Sequence, residues 1–216
     1  MNSSEYKTIK HYGESRLVEK KSEFIGNAMP IKTEAEALEF INGIKKKYPD
    51  ARHNVYAYTV RENNIQRFTD DGEPSGTAGM PVLDTLRKRG LTDAAVVVTR
   101  YFGGTLLGTG GLVRAYGKCA GDAVANAVPV LRVKCNIYEA VCDYGIAGKI
   151  EHSISGDDCF IKDKLYTDRV TFLVGVKPGA DEKFTDNITE ISGGTIKTAL
   201  IDTQYTDIKI GGDENE

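Results

Sequence analysis

The alternation of hydrophobic and polar positions predicts an N-terminal region of mixed strands and helices that ends at Pro129. Runs of period two indicate strands, and apolar positions three and four residues apart indicate helices. The predicted elements are two strand-like runs separated by Gly13 within residues 6–31, a helix capped by Thr33, a hairpin of residues 55–60 and 65–68, a helix capped by Thr77 that runs to about Arg89, a buried strand at residues 94–98 and a helix from Leu112 that Pro129 ends.

The pattern restarts after Pro129 and predicts a second domain. Its elements are a strand at residues 131–142, a helix at 144–153, strands at 159–165 and 169–176, a helix at 180–191 and a strand at 195–205. This βαββαβ order is that of a ferredoxin-like domain. We therefore expect an α+β protein with domains at residues 1–129 and 130–210, followed by an acidic, disordered tail at 211–216.

The strand at residues 94–98 leads into a glycine-rich loop and then a helix, an arrangement that can bind an anion through backbone N–H groups. Two phosphate-binding motifs nearly fit and fail. Thr109 stands where a P-loop needs lysine, and Val113 stands where a dinucleotide fingerprint needs its third glycine. The candidate residues for binding an anion or nucleic acid are Arg100, Gly103, Gly104, Gly108, Thr109, Gly110, Gly111, Arg114 and Lys118.

Arg100, Tyr101 and Phe102 end the buried strand, where aromatic and arginine side chains can stack on unpaired bases. Strand alternation places Arg100 and Phe102 on one face and Tyr101 on the other. We expect Phe102 to lie in the core. For Arg100, exposure at the strand end and a binding role are both open.

An acidic loop offers an alternative function. Asp70, Asp71 and Glu73, with His53 as a possible partner, could hold a divalent cation or supply a general acid and base for a phosphoester hydrolase. Asp and Gly before a helix are also ordinary turn and capping residues, and a carboxylate facing Arg100 or Arg67 would be structural. Neutralisation by arginines would also let this loop adjoin an anion site.

Composition narrows the remaining possibilities. The 216 residues carry a net charge of −3, with 18 Lys and Arg against 15 Asp and Glu in residues 1–128, and 10 against 16 thereafter. The mildly basic first half is compatible with a local nucleic-acid footprint.

The four cysteines form no CxxC and the three histidines are scattered, so we expect reduced thiols and no metal site or cofactor. The absence of a long apolar run and of a secretory signal at the N-terminus predicts a cytoplasmic protein without membrane spans.

Two segments, TDDGEPSGTAGMPVL (residues 69–83) and VVVTRYFGGTLLGTGGLVRAYG (residues 96–117), strongly resemble the YigZ/IMPACT family. The resemblance extends over essentially the whole chain. It implies an N-terminal domain with the αβ fold shared by a small-subunit ribosomal protein and domain IV of elongation factor G, and a ferredoxin-like C-terminal domain. Eukaryotic relatives act in translational control by blocking activation of an initiation-factor kinase. The resemblance thus implies a regulatory protein that contacts RNA or a translation-associated partner through its N-terminal domain.

Overall fold

A computed structural model describes residues 5–154, 156 and 158–209 of the chain. The chain divides into two compact units, an N-terminal unit (Tyr6–Leu131) and a C-terminal unit (Arg132–Ile208), and the boundary falls within one long strand. The predicted tail at residues 211–216 lies outside the described residues. None of the described helices has the length and apolar character that crossing a bilayer requires.

The N-terminal unit contains one five-stranded sheet with helices on both faces. The first elements of the chain are β1 (Glu5–Ile9), β2 (Gly13–Glu19), β3 (Ser22–Pro30), α1 (Glu34–Lys47), β4 (His53–Val60), β5 (Ile65–Thr69), α2 (Gly79–Lys88), β6 (Ala94–Tyr101) and α3 (Gly108–Asn126). The sheet order is β2-β3-β6-β4-β5, and every pair is antiparallel.

The central strand β6 shows why the sheet is buried on both faces. Ala94, Val96 and Val98 pack with α2 and α3, whereas Ala95 and Val97 pack with α1. Because successive side chains of a strand point to opposite faces, a continuous apolar run is what a strand covered on both sides needs. The sequence predicted this strand, and the structure extends it to Tyr101.

The first strands differ from the prediction. The segment after Gly13 was expected to form one strand-like run, but it forms the two antiparallel strands β2 and β3. Lys20 and Lys21 make the turn between them with φ values of 45° and 66°. Lysine is not a usual residue for this left-handed conformation, so turn chemistry gave no signal here.

The C-terminal unit contains a second sheet with its own core. Its elements are β7 (Pro129–Cys142), α4 (Tyr144–Ser153), β8 (Cys159–Tyr166), β9 (Val170–Val176), α5 (Asp181–Ser192) and β10 (Thr198–Lys209). The sheet has five strands: β9 lies between β7 and β8, and β7 also pairs with β1 and with β10. Apolar residues of α4 and α5, such as Ile150, Phe184 and Ile188, pack against the inward side chains of β9, such as Phe172 and Val174. Both units are therefore mixed α and β.

Candidate functional site

A cleft of about 390 Å³ lies in the N-terminal unit, between the acidic loop that precedes α2 and the first turn of α3. The residues that line it are Arg52, His53, Glu73, Pro74, Arg100, Phe102, Leu106, Leu107, Gly108, Thr109 and Leu112. It therefore combines two arginines and one carboxylate with an apolar wall. The two loops were expected to be able to adjoin, and the cleft brings Glu73 of one loop together with Gly108 and Thr109 at the end of the other.

One wall of the cleft is the N-terminal end of α3. This helix begins at Gly108, and no side chain caps it. The first N–H groups of a helix have no partner within the helix, and they carry the positive end of its dipole. Gly108 and Thr109 are exposed and line the cleft. This end of the helix can therefore donate hydrogen bonds to an anion, as anion-binding helix ends do.

The glycines of the loop have different structural roles. A Cβ atom on Gly103 would lie 2.1 Å from the carbonyl oxygen of Lys21, so close packing against the β2–β3 turn requires glycine there. Gly104 and Gly108 have φ values of +82° and +71°, which favour glycine. A Cβ on Gly111 would crowd Leu107 at 2.9 Å. Gly110 is exposed, and a Cβ there would come within 4 Å only of the Arg114 guanidinium, at 3.6 Å, so the structure has room for a side chain at this position.

A buried ion pair forms the floor of the cleft. Arg100 Nη1 lies 2.5 Å from Glu73 Oε1, and the two side chains are 6% and 4% exposed. Tyr116 donates its hydroxyl hydrogen to the same Glu73 oxygen at 2.7 Å. Burial, together with this hydrogen bond and the negative charge of Glu73, raises the pKa of Tyr116 far above its usual value. Tyr116 therefore remains a neutral donor, and the acidic loop is tied to both β6 and α3.

The exposure of Phe102 contradicts the expectation that it lies in the core, and of the two possibilities left open for Arg100, exposure at the strand end is not what the structure shows. Phe102, expected in the core, is 48% exposed, whereas Arg100 is 5% exposed. The arginine lies between two rings, 5.5 Å from the centroid of Phe24 and 5.6 Å from that of Phe102. Its Nε atom is buried and has no hydrogen-bond partner among the described residues. Arg100 thus neutralises Glu73 and leaves one N–H donor over.

Asp70 has a structural role as the cap of α2. Its carboxylate accepts hydrogen bonds from the backbone N–H groups of Gly76, Ala78 and Gly79. Burial alone would raise the pKa of Asp70, but these donors outweigh it and lower the pKa below its ordinary value. Thr77, expected to cap this helix, instead donates its hydroxyl hydrogen to the carbonyl oxygen of Pro74. The cap therefore comes from a residue much further back in the chain.

The carboxylates of the other members of the proposed acid–base set bind separate partners. Asp71 accepts a hydrogen bond from the backbone N–H of Asn54 at 2.6 Å, and its carbonyl oxygen lies 2.8 Å from Nδ1 of His53. Glu73 is paired with Arg100. Across the described residues, no three His, Cys, Asp or Glu side chains are arranged to hold a metal ion. In this arrangement each carboxylate stabilises the loop rather than facing a common ligand.

The cationic residues predicted on α3 lie outside the lining of the cleft. Arg114 and Lys118 are both exposed, and Lys118 pairs with Asp122 at 3.2 Å. Instead, Arg52, which precedes β4, supplies the exposed charge at the cleft. No feature of the sequence singled out Arg52 for this position. Its position follows from the pairing of β4 with β6, which sets His53 opposite Arg100.

The cysteines add no reactive group to this site. All four are free, and Cys119, Cys135 and Cys142 are buried while Cys159 is partly exposed. Burial raises the pKa of each thiol. A thiol with a raised pKa is a poor nucleophile at neutral pH.

Comparisons with known proteins match both units. The model of the Impact N-terminal domain matches residues 20–124, and a domain of unknown function, DUF1949, matches residues 141–195. The chain is 43% identical over 190 residues to the IMPACT family member YvyE of Bacillus subtilis, covering 88% of each chain. It is 32% identical over 186 residues to the IMPACT family member YigZ of Escherichia coli, covering 85% of this chain and 91% of YigZ.

Two further matches extend the comparison. The Protein IMPACT homolog of Dictyostelium discoideum is 36% identical over 102 residues, which is 45% of this chain and 29% of that protein. A crystal structure of a hypothetical protein aligns with a TM-score of 0.57 at 29% identity, covering 92% of this chain and 98% of that one.

Proposed function

Because this chain belongs to the IMPACT family, we propose that it is a regulatory binding protein whose N-terminal unit contacts RNA or a component of the translation machinery. The observation that carries the proposal is the cleft at the start of α3. There the uncapped helix end, the exposed Arg52 and an apolar wall line one cavity. Backbone N–H groups and arginine are the usual partners of nucleic-acid phosphates, and exposed aromatic rings are usual partners of bases.

The charge around the cleft supports a singly charged anion. Arg52 and Arg100 contribute two positive charges and Glu73 one negative charge, and the helix end adds about half a positive charge. Arg100 and Glu73 are already paired in the interior. The charge that remains for a ligand is therefore that of Arg52 and the helix end, which suits one phosphodiester.

We also propose a fold for each unit and a location in the cell. In the sheet of order β1-β7-β9-β8, the pairing of β10 with β7 and the packing of α4 and α5 against β9 support a ferredoxin-like C-terminal domain to which β1 is added. For the N-terminal unit we propose the αβ fold of the ribosomal protein and elongation-factor domain named above. We place the protein in the cytoplasm, where its four free thiols would stay reduced.

The test is the salt dependence of RNA binding by the full chain. Fluorescence anisotropy with a short labelled single-stranded RNA should show binding that weakens as salt rises. Arg52→Ala should weaken binding to all sequences alike and reduce the salt slope by about 0.7 units, the value for one phosphate contact on a single strand. Arg114→Ala tests whether this exposed arginine of α3 contributes to RNA binding as well.

Arg87→Ala is the matched control, because Arg87 is exposed near the far end of α2, where it pairs with the neutral side chain of Gln66. It removes the same charge outside the cleft and should leave both affinity and salt slope unchanged. Equal losses for Arg52→Ala and Arg87→Ala would show that net charge alone binds the RNA and would refute the cleft as the site.

A further inference from the structure

We infer that the cleft holds one nucleotide of an unpaired RNA strand, with the phosphodiester at the start of α3 and the base against Phe102. This inference rests on the proposed function and specifies its ligand. Two features of the cleft point to it: the exposed ring of Phe102, and the buried Arg100 guanidinium beneath that ring, whose Nε has no hydrogen-bond partner among the described residues. Both residues line the same cavity as Gly108 and Thr109.

Phe102 has the surroundings of a ring that binds a ligand rather than of a core ring. It is 48% exposed, although it directly follows β6, whose residues are almost all buried. The Arg100 guanidinium lies 5.6 Å from the ring centroid, which holds one side of the ring in place. Leu106, 82% exposed, lines the same wall. An oriented aromatic ring beside an exposed aliphatic side chain is a suitable surface for the face of a base.

The size and charge of the cleft limit what can enter. A volume of about 390 Å³ is at the lower end of the range for small-ligand sites and accommodates a group of about one nucleotide. The uncapped helix end and Arg52 together supply about one and a half positive charges, which is enough to balance one phosphodiester. A single internal phosphate of a strand therefore fits the charge of the cleft.

The same geometry discriminates against duplex RNA. In an A-form helix the bases are stacked on one another and their faces are covered, so they cannot reach a ring at the wall of a cleft. A duplex could present only its phosphates to the helix end and Arg52. Binding to a single strand should therefore exceed binding to the matching duplex by the contribution of one base stack.

The experiment compares three probes on the full chain: a short labelled single-stranded RNA, the same strand annealed to its complement, and an abasic strand of equal length. Phe102→Ala should weaken binding to the single strand by roughly five- to 100-fold, as the loss of one base stack does, and should leave the other two affinities unchanged. Phe102→Trp, which keeps an aromatic face, should restore tight binding. Phe68→Ala is the control, because Phe68 is a similarly exposed ring, 41% exposed, on β5.

The outcomes separate this inference from the proposed function. If the protein binds single strand, duplex and abasic strand equally and Phe102→Ala changes none of them, the inference is overturned while RNA binding stands. Loss of binding to all three probes in Phe102→Ala, with Phe102→Trp equally impaired, would also overturn it, because the ring would then act by supporting Arg100. If wild-type protein binds none of the probes, the proposed RNA contact itself fails.

Discussion

Glu73 is held in the interior of the N-terminal unit between a cation and a phenol. Its oxygen accepts from Arg100 and from Tyr116, whose ring packs edge-on against Phe24 with centroids 5.1 Å apart. A buried ion pair contributes little net stability, but removing one partner leaves the other charge buried and uncompensated. The three residues come from the acidic loop, β6 and α3, so a substitution at one of them weakens the contact among all three segments.

Glu73→Ala should lower the free energy of unfolding by about 3–5 kcal/mol, because Arg100 would lose its counter-charge. Tyr116→Phe removes only the hydrogen bond to the carboxylate and should cost about 1.5–3 kcal/mol. Urea denaturation of the full chain, followed by circular dichroism, measures both. Glu39→Ala, at an exposed position of α1, is the control and should change stability by at most about 0.5 kcal/mol. A Glu73→Ala protein as stable as this control would contradict the buried pair.

The sequence could predict some features of these residues and not others. Strand alternation predicted that Arg100 and Phe102 point to the same side, and both line the same cleft, although Phe102 follows the last residue of β6. Alternation does not show how far along a strand the neighbouring elements cover it. It therefore could not predict that Phe102 is exposed and Arg100 buried. The partner of Arg100 is 27 residues away in the chain, and only the tertiary fold brings the acidic loop to it.

At the scale of elements, α2 depends on a cap that sequence spacing does not reveal. The usual cap lies directly before the first turn, which made Thr77 the expected residue. Asp70 instead accepts hydrogen bonds from the N–H groups of Ala78 and Gly79, which lie eight and nine residues later in the chain. It can do so because the loop turns back at Gly72 and Gly76, where φ is positive. The elements themselves were largely predictable from periodicity, but β2 and β3 merged because their turn contains two lysines.

Asp70→Ala should lower stability at neutral pH by about 0.5–2 kcal/mol, the usual cost of losing a cap. The pKa of Asp70 is lowered in the folded protein, so the stabilisation by its carboxylate is complete above the ordinary value of 3.8 and declines as pH falls through the lower folded value. The difference between wild type and variant should therefore shrink in acid. Urea denaturation at neutral pH and at successively lower pH measures this.

Asp122→Ala serves as the comparison for the cap, since this exposed aspartate on α3 pairs only with Lys118 in a surface ion pair. It should show a much smaller effect at neutral pH. A difference for Asp70→Ala that stays constant as the pH falls would contradict the role assigned to its ionised carboxylate.

At the scale of the whole molecule, each unit has a core that its own elements enclose. The restart of the hydrophobic pattern after Pro129 predicted two cores, but it gave no sign that β1 (Glu5–Ile9) would pair with β7 in the second sheet. The pattern could not set the boundary to the residue, because β7 is one continuous strand from Pro129 to Cys142. Strand pairing, which decides where a unit ends, depends on residues far apart in sequence.

A fragment of residues 131–210 should fold without the rest of the chain. Its core is formed by β7, β8, β9, α4 and α5, and a domain of this size buries roughly 60% of its unfolded surface, which suffices for independent folding. Circular dichroism should show a cooperative thermal transition for this fragment. A matched fragment that begins at residue 143 lacks β7, the strand that pairs with both β9 and β10, and should remain unfolded because its sheet loses its centre.

Limited proteolysis of the full chain should cut near residues 129–132 if the units open separately. An insoluble 131–210 fragment, together with no cut near that position, would show instead that the two units fold as one.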